Sequence, residues 1–171
     1  MKKYPKNLIF LDFDGVCNCK TDGSYLNYDP ENYHASEQIL DRLKSFCDEN
    51  QAKIVIASNW RKFADDGHYS FSLGKEFKNP LPKLREQLKD YIFDDLPHTR
   101  HITKAQATIL WFEENDFKGG YVIFDDDLRE EYHLTYEYGI KEHFIHTDMI
   151  NGLTRDNLIQ AKEILDNEQD Q

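Results

Sequence analysis

A chain of 171 residues, 39% hydrophobic and 31% charged with 11 Phe and 10 Tyr, is long enough to bury a core and short for two domains; this composition excludes a disordered or fibrous class. The excess of 32 acidic over 21 basic residues, a net charge of −11, disfavours non-specific nucleic-acid binding and suits a soluble surface. No apolar run approaches the roughly 18 residues of a membrane span, and Met1-Lys2-Lys3-Tyr4-Pro5 does not begin a signal peptide, so a cytoplasmic protein without a membrane partner is expected. Cys17, Cys19 and Cys47 are too few and odd in number for a disulfide framework, and Cys17 and Cys19, one residue apart with no second pair, read as packing or loop residues rather than a metal pair.

The first apolar run, Leu8-Ile9-Phe10-Leu11, ends in Asp12-Phe13-Asp14-Gly15-Val16. Residues 17–35, rich in Asn, Asp, Gly and Tyr, predict a loop or small flap hairpin. Ser36 is placed to cap a helix whose Ile39, Leu40, Leu43, Phe46 and Cys47 share one face. A second run, Ile54-Val55-Ile56-Ala57, ends in Ser58-Asn59-Trp60-Arg61. Residues 62–82 read as loops or hairpins, and the remainder of a possible small insert over 62–98 holds a helix near Pro82 to Lys89 and a strand near Tyr91 to Phe93. Thr103 and Gln106 form a capping box ahead of Ile109, Leu110 and Phe112. The third run, Tyr121-Val122-Ile123-Phe124, ends in Asp125-Asp126-Asp127, and a fourth covers His143 to His146. Thr154 caps the last helix, with Leu153 and Leu158 as a hydrophobic staple, and Asp166 to Gln171 read as a frayed end.

Because the first three runs lack polar alternation, they predict strands covered on both faces, hence an α/β, Rossmann-like, doubly wound parallel sheet in one domain over residues 1–171. Ligands of such sheets bind beyond the carboxyl ends of the strands. Taken singly, each group found there has a plain explanation: Asp-x-Asp is common in turns, acidic residues favour helix starts, Ser58 can be a cap and Lys104 a solvated lysine. Jointly they place several carboxylates, a hydroxyl and a lysine at one sheet edge, and a hard divalent cation such as Mg²⁺ would relieve their repulsion. The set then suits a phosphoryl group.

The order of Asp12-Phe13-Asp14-Gly15-Val16, Ser58, Lys104 and Asp125-Asp126-Asp127 resembles the four motifs of the haloacid dehalogenase superfamily over most of the chain, from Leu8 to about Leu165. Ser58-Asn59-Trp60-Arg61, the Trp111 helix, Tyr121 to Asp127, His146-Thr147-Asp148 and Gly152-Leu153-Thr154 are further similar to the haloacid dehalogenase domains of Swiss army knife RNA-repair proteins, with Asn59 standing where that subgroup carries a second serine. The resemblance implies a Mg²⁺-dependent phosphatase acting on a phosphomonoester. Asp12 would be the nucleophile and Asp14 the acid/base. Ser58, Asn59 and Lys104 would bind phosphate, and Mg²⁺ would be held by Asp12, the Asp14 carbonyl and Asp126, with Asp125 and Asp127 as alternatives. Arg61 stays open between substrate binding and a structural ion pair, whereas Trp60 is expected in the core.

Both interruptions of the motif order leave room for at most a minimal cap, and a site without one is open to a phosphorylated protein, a nucleic-acid end or a nucleotide. An acid/base at Asp14 requires its pKa to rise, which neighbouring carboxylates can cause. Three other readings remain: a receiver-like signalling module, disfavoured by the order of its acidic groups; a metal-dependent nucleic-acid module of the topoisomerase-primase kind, disfavoured because no glutamate precedes Asp12; and a phosphate-binding domain without turnover.

Overall fold

In the computed structural model, residues 3–25, 30, 33–70, 75–98, 101–127, 129–130 and 133–167 are described. Strand β1, Asn7–Leu11, is buried along its whole length, because a central parallel strand meets side chains on both faces. It is flanked in parallel by β2, Ala52–Ile56, and β6, Gly120–Asp125, while β5, Ile92–Asp95, and β7, Phe144–His146, complete a five-stranded sheet in the order β5-β2-β1-β6-β7. The remaining strands, β3 (His68–Ser70) and β4 (Glu76–Lys78), form a separate antiparallel hairpin.

Successive strand residues point to opposite faces, so the apolar runs feed two cores. Ile9, Leu11, Ile54, Ile56, Val122 and Phe124 pack toward helices α1 (Glu37–Asn50), α2 (Leu81–Gln87) and α4 (Arg155–Asn167). Leu8, Phe10, Val55 and Ile123 pack toward α3, Lys104–Glu114, around the fully buried Trp111. Burying each such side chain contributes roughly 1.5–3 kcal/mol, so the two layers hold the sheet from both sides. The expected doubly wound α/β architecture is present, and no cap domain occurs among the described residues.

The helix ends follow local chemistry. Ser36 accepts from Ile39 N, Thr103 and Gln106 form the complete capping box, and Thr154 and Asn157 cap each other at the start of α4. Between β2 and α2 the chain makes a 3-10 turn over Asn59–Lys62 and then the β3–β4 hairpin, while 71–74 lie outside the described residues. Within the expected flap, Tyr25 bridges Tyr33, and 26–29 and 31–32 lie outside the described residues.

Some expectations need correction. Helix α4 runs through Asp166 to Asn167 rather than fraying at Asp166, because Leu165 is fully buried and Lys162 pairs with Asp166 at 2.8 Å; 168–171 lie outside the described residues. The stretch between β6 and β7 holds a π-type turn, His133–Glu137, and a short 3-10 turn, Lys141–His143, neither signalled by periodicity. Among the described residues no helix is long and apolar enough to cross a membrane.

Candidate active site

Strand order reverses at β1, which has β2 on one side and β6 on the other, and the crevice between the diverging crossovers opens at their carboxyl ends. Asp12 follows β1, its backbone N donating to Phe124 O at 3.1 Å, so the sheet ladder still holds it. Asp14 follows two residues later, in the turn itself. Gly15 then adopts φ +64°, and a Cβ there would stand 2.5 Å from Asp126 Oδ2. Glycine therefore serves both the left-handed turn and the close passage of the Asp126 carboxylate over the Asp12–Asp14 loop.

An open cleft of about 440 Å³ is lined by Asp12, Asp14, Ser58, Asn59, Lys104, Asp126 and Asp127, together with Trp60, Lys62, Phe63 and Arg129. Lys104, the first residue of α3, is buried and places Nζ 2.9 Å from Asp12 Oδ2 and 2.6 Å from Asp125 Oδ2. Burial alone would pull its pKa down, but the charges of Asp12 and Asp125 outweigh that and raise it, so Lys104 is a permanent cation. Glu130 steadies this arrangement: its carboxylate accepts from Ala105 N at 2.8 Å, satisfying a free donor at the positive end of α3. No local sequence pattern signals that contact.

Asp14 is pushed up to about 6, chiefly by burial and next by the charge of Asp12, against the opposing hydrogen bonds of Tyr33, Trp60 and Asn18. Asn18 accepts from Gly15 N at 3.0 Å; its Nδ2 has no well-formed hydrogen bond, although it lies near enough to Asp14 to favour the charged carboxylate. Trp60 is buried, in agreement with expectation, yet its indole N–H also donates to Asp14 Oδ2 at 3.1 Å and to the Tyr33 hydroxyl at 2.7 Å, while Tyr33 donates to Asp14 Oδ1. Sequence reasoning missed Tyr33, which sits in the loop-rich segment where periodicity says nothing.

The three consecutive aspartates take different environments. Asp125 is fully buried, with Oδ2 on Lys104 and Oδ1 accepting from Asp127 N at 2.9 Å; burial and Asp12 raise its pKa against the pull of Lys104. Asp127 turns to Arg129, at 3.1 Å, and those hydrogen bonds hold it below the ordinary carboxylate range despite partial burial. The carboxylate of Asp126 accepts no hydrogen bond among the described residues, and burial together with the charges of Asp12 and Asp14 pushes it up to about 7.

One carboxylate oxygen each of Asp12, Asp125 and Asp126 lies within 4.8 Å of the others. Lys104 makes its ion pairs with Asp12 and Asp125, and Asp126 stands beside the carboxylates of Asp12 and Asp14, whose repulsion outweighs the pull of Lys104. A hard divalent cation matches that all-oxygen donor set. The hydrogen bonds of Asp125 and Asp127 leave Asp126 as the aspartate of the three whose carboxylate accepts no hydrogen bond among the described residues.

Ser58 does two things at once. Its Oγ caps the 3-10 turn by accepting from Trp60 N at 3.3 Å, while the buried hydroxyl lines the cleft with its hydrogen given to no acceptor among the described residues. Asn59 is exposed on the cleft wall. Arg61 is buried beside the cleft residues Trp60 and Lys62. Its guanidinium donates to the carbonyls of Ala57, Ser58, Leu96 and Pro97 at 2.8–3.3 Å, tying the end of β2 to the end of β5. Burial works against its charged form, which the nearby charges of Asp12, Asp95, Glu130 and Asp125 favour. Cys17, Cys19 and Cys47 are buried and free, and Cys17 Sγ lies 3.4 Å from the Asp12 carbonyl.

A parallel sheet with Asp12, Asp14, Ser58, Lys104 and the aspartate triplet at one edge defines a haloacid dehalogenase-like domain. The chain belongs to the family described as the HAD domain in Swiss Army Knife RNA repair proteins, whose family model matches residues 8–158. No curated protein and no solved structure matches the chain. The family points to a hydrolase, of the phosphatase kind.

Proposed function

We propose that this domain hydrolyses a phosphomonoester through a phosphoryl group carried on Asp12. The observation that supports it most is the division of labour among the carboxylates. Asp12 is pinned by Lys104 at 2.9 Å, Asp14 beside it is raised to about 6, and Asp126 lacks a partner among the described residues. In this reading Asp12 and Asp126, with the Asp14 backbone carbonyl, hold Mg²⁺, while Asp125 orients Lys104. When bound, the cation supplies charge neutralisation for the phosphoryl oxygens and for the carboxylates around them.

The residues of the chain account for the rest. An Asp12 oxygen forms a bond to phosphorus as the bond from phosphorus to the leaving oxygen breaks, and the Asp14 proton passes to that oxygen. Asp14, now ionised, takes a proton from water as the water oxygen attacks phosphorus and the Asp12–phosphorus bond breaks. Lys104 and the Ser58 hydroxyl hold the transferred group, and a lysine without freedom to titrate keeps that positive charge across the working pH range.

The cleft has no cap over it among the described residues, which suits a phosphate displayed on a macromolecule. Lys62 and the half-exposed Phe63 supply a cation and an aromatic face at its edge, local features that offset the acidic surface. Together with the RNA-repair association of the family, they favour a phosphorylated nucleic-acid end over a phosphoprotein or a free nucleotide.

The test is phosphate release from 3′- and 5′-phosphorylated oligonucleotides, phosphopeptides and nucleotides, with Mg²⁺ or EDTA, for the intact protein and Asp12→Asn. The expected result is Mg²⁺-dependent release, greatest for an oligonucleotide end and abolished by the substitution. Binding of these ligands without release from any of them would identify a phosphate-binding module instead.

A further inference from the structure

We infer that Tyr33 and Trp60 are positioning residues for Asp14, and that the β3–β4 hairpin acts as their buttress rather than as a cap. The inference rests on the phosphohydrolase reading, in which Asp14 donates a proton to the leaving oxygen. Both Asp14 carboxyl oxygens are engaged from one side: Oδ1 by the Tyr33 hydroxyl, and Oδ2 by the Trp60 indole N–H at 3.1 Å. The same indole N–H lies 2.7 Å from the Tyr33 oxygen, so the two donors also fix each other.

A carboxyl group held at both oxygens cannot rotate about its terminal torsion, which is otherwise broad. The face left for the leaving group is then set. The Tyr33 ring is in turn boxed by Phe13, Tyr25, Trp60 and Phe77, with centroids at 5.7, 5.6, 5.8 and 4.9 Å. Phe77 is the buried middle residue of β4 and stands nearest. Three segments far apart in sequence, the flap region, the turn after β2 and the hairpin, thus converge on one carboxyl group. Packing alone does not require two polar hydrogens to meet there. Elsewhere Trp111 donates its indole N–H to the Asp94 carboxylate at 3.0 Å.

Leaving-group dependence separates positioning from packing. An alkoxide leaves only as it receives the Asp14 proton, whereas p-nitrophenolate departs without one. Tyr33→Phe keeps the ring and its aromatic box and deletes only the hydroxyl. Trp60→Phe deletes the N–H. General acids supply roughly 10²- to 10⁴-fold, so each variant is expected to lose about tenfold or more in kcat/KM for an alkyl ester such as a 3′-phosphorylated oligonucleotide. The loss for p-nitrophenyl phosphate should stay below about threefold.

Because Asp14 also deprotonates the attacking water, phosphorylated protein trapped by acid and weighed by intact mass spectrometry should persist longer in Tyr33→Phe than in wild type. Equal losses for both esters with a lowered melting temperature would overturn the inference, showing that the aromatic box serves packing alone. Unchanged kinetics for both esters would overturn it as well. A wild-type protein inert toward every ester would sink the phosphohydrolase reading itself and the inference with it, a failure recognisable because wild type and variants are then alike.

Discussion

At the scale of single residues, the site is a charge balance struck around one lysine. Lys104 is buried between Asp12 and Asp125, and neither carboxylate has another cation within salt-bridge distance among the described residues. Taking away one partner of a buried ion cluster typically costs about 3–5 kcal/mol, because the remaining charges stay desolvated. Lys104→Met should therefore destabilise the fold by that amount, lowering the melting temperature by on the order of 10 °C for a chain of this size. Adding Asp125→Asn should recover part of the loss. Denaturant unfolding of both single variants and the double variant measures the coupling, and strictly additive effects would contradict it.

The elements carry the site through their ends, and the turn after β1 shows how. Gly15→Ala meets two separate obstacles: a left-handed φ, costing roughly 1–2 kcal/mol, and collision with the Asp126 carboxylate. Gly139 makes a control for the first, because its φ is +71° with nothing within 4 Å of an added Cβ. Both variants should lose similar stability from backbone strain. Gly15→Ala alone should weaken the stabilisation by Mg²⁺, followed as the melting temperature against Mg²⁺ concentration. An equal Mg²⁺ response in the two variants would refute the role given to Asp126. Helix α3 depends on its ends in the same way, since the capping box at Thr103 and the Glu130 carboxylate on Ala105 N together set where Lys104 begins.

At the scale of the molecule, crowded carboxylates tie stability to pH. Asp14 and Asp126 have folded pKa values of about 6 and about 7 against an ordinary 3.8, so the folded state binds more protons than the unfolded one between those values. Their contribution is fully present below about 3.8 and is lost as pH rises through 6 and 7. Asp22 runs the other way: hydrogen bonds from Ser24 overcome partial burial and hold it at about 2, so its contribution is lost only as pH falls toward that value. In EDTA these groups should therefore make the melting temperature highest near pH 4 and lower it as pH rises to about 7, above which their contribution is gone. Mg²⁺ at constant ionic strength should restore it more at pH 8 than at pH 5, because binding favours the ionised carboxylates. A Mg²⁺ effect matched by the same ionic strength of NaCl would indicate general screening of the net charge of −11 rather than a site.

The strands β1, β2 and β6, the caps at Ser36, Thr103 and Thr154, and the arrival of Asp12, Ser58, Lys104 and Asp126 at one sheet edge were legible in the sequence, because they rest on periodicity, local capping chemistry and the rule that strand ends carry the site. Tertiary structure alone decided the partners. It turned Arg61 onto backbone carbonyls at the end of β5, separated three adjacent aspartates into a lysine partner, an arginine partner and a carboxylate without a hydrogen bond among the described residues, and brought Tyr33 and Trp60 onto Asp14. Local pattern cannot encode such choices, since each joins residues from different crossovers whose meeting depends on the order in which the strands lie in the sheet.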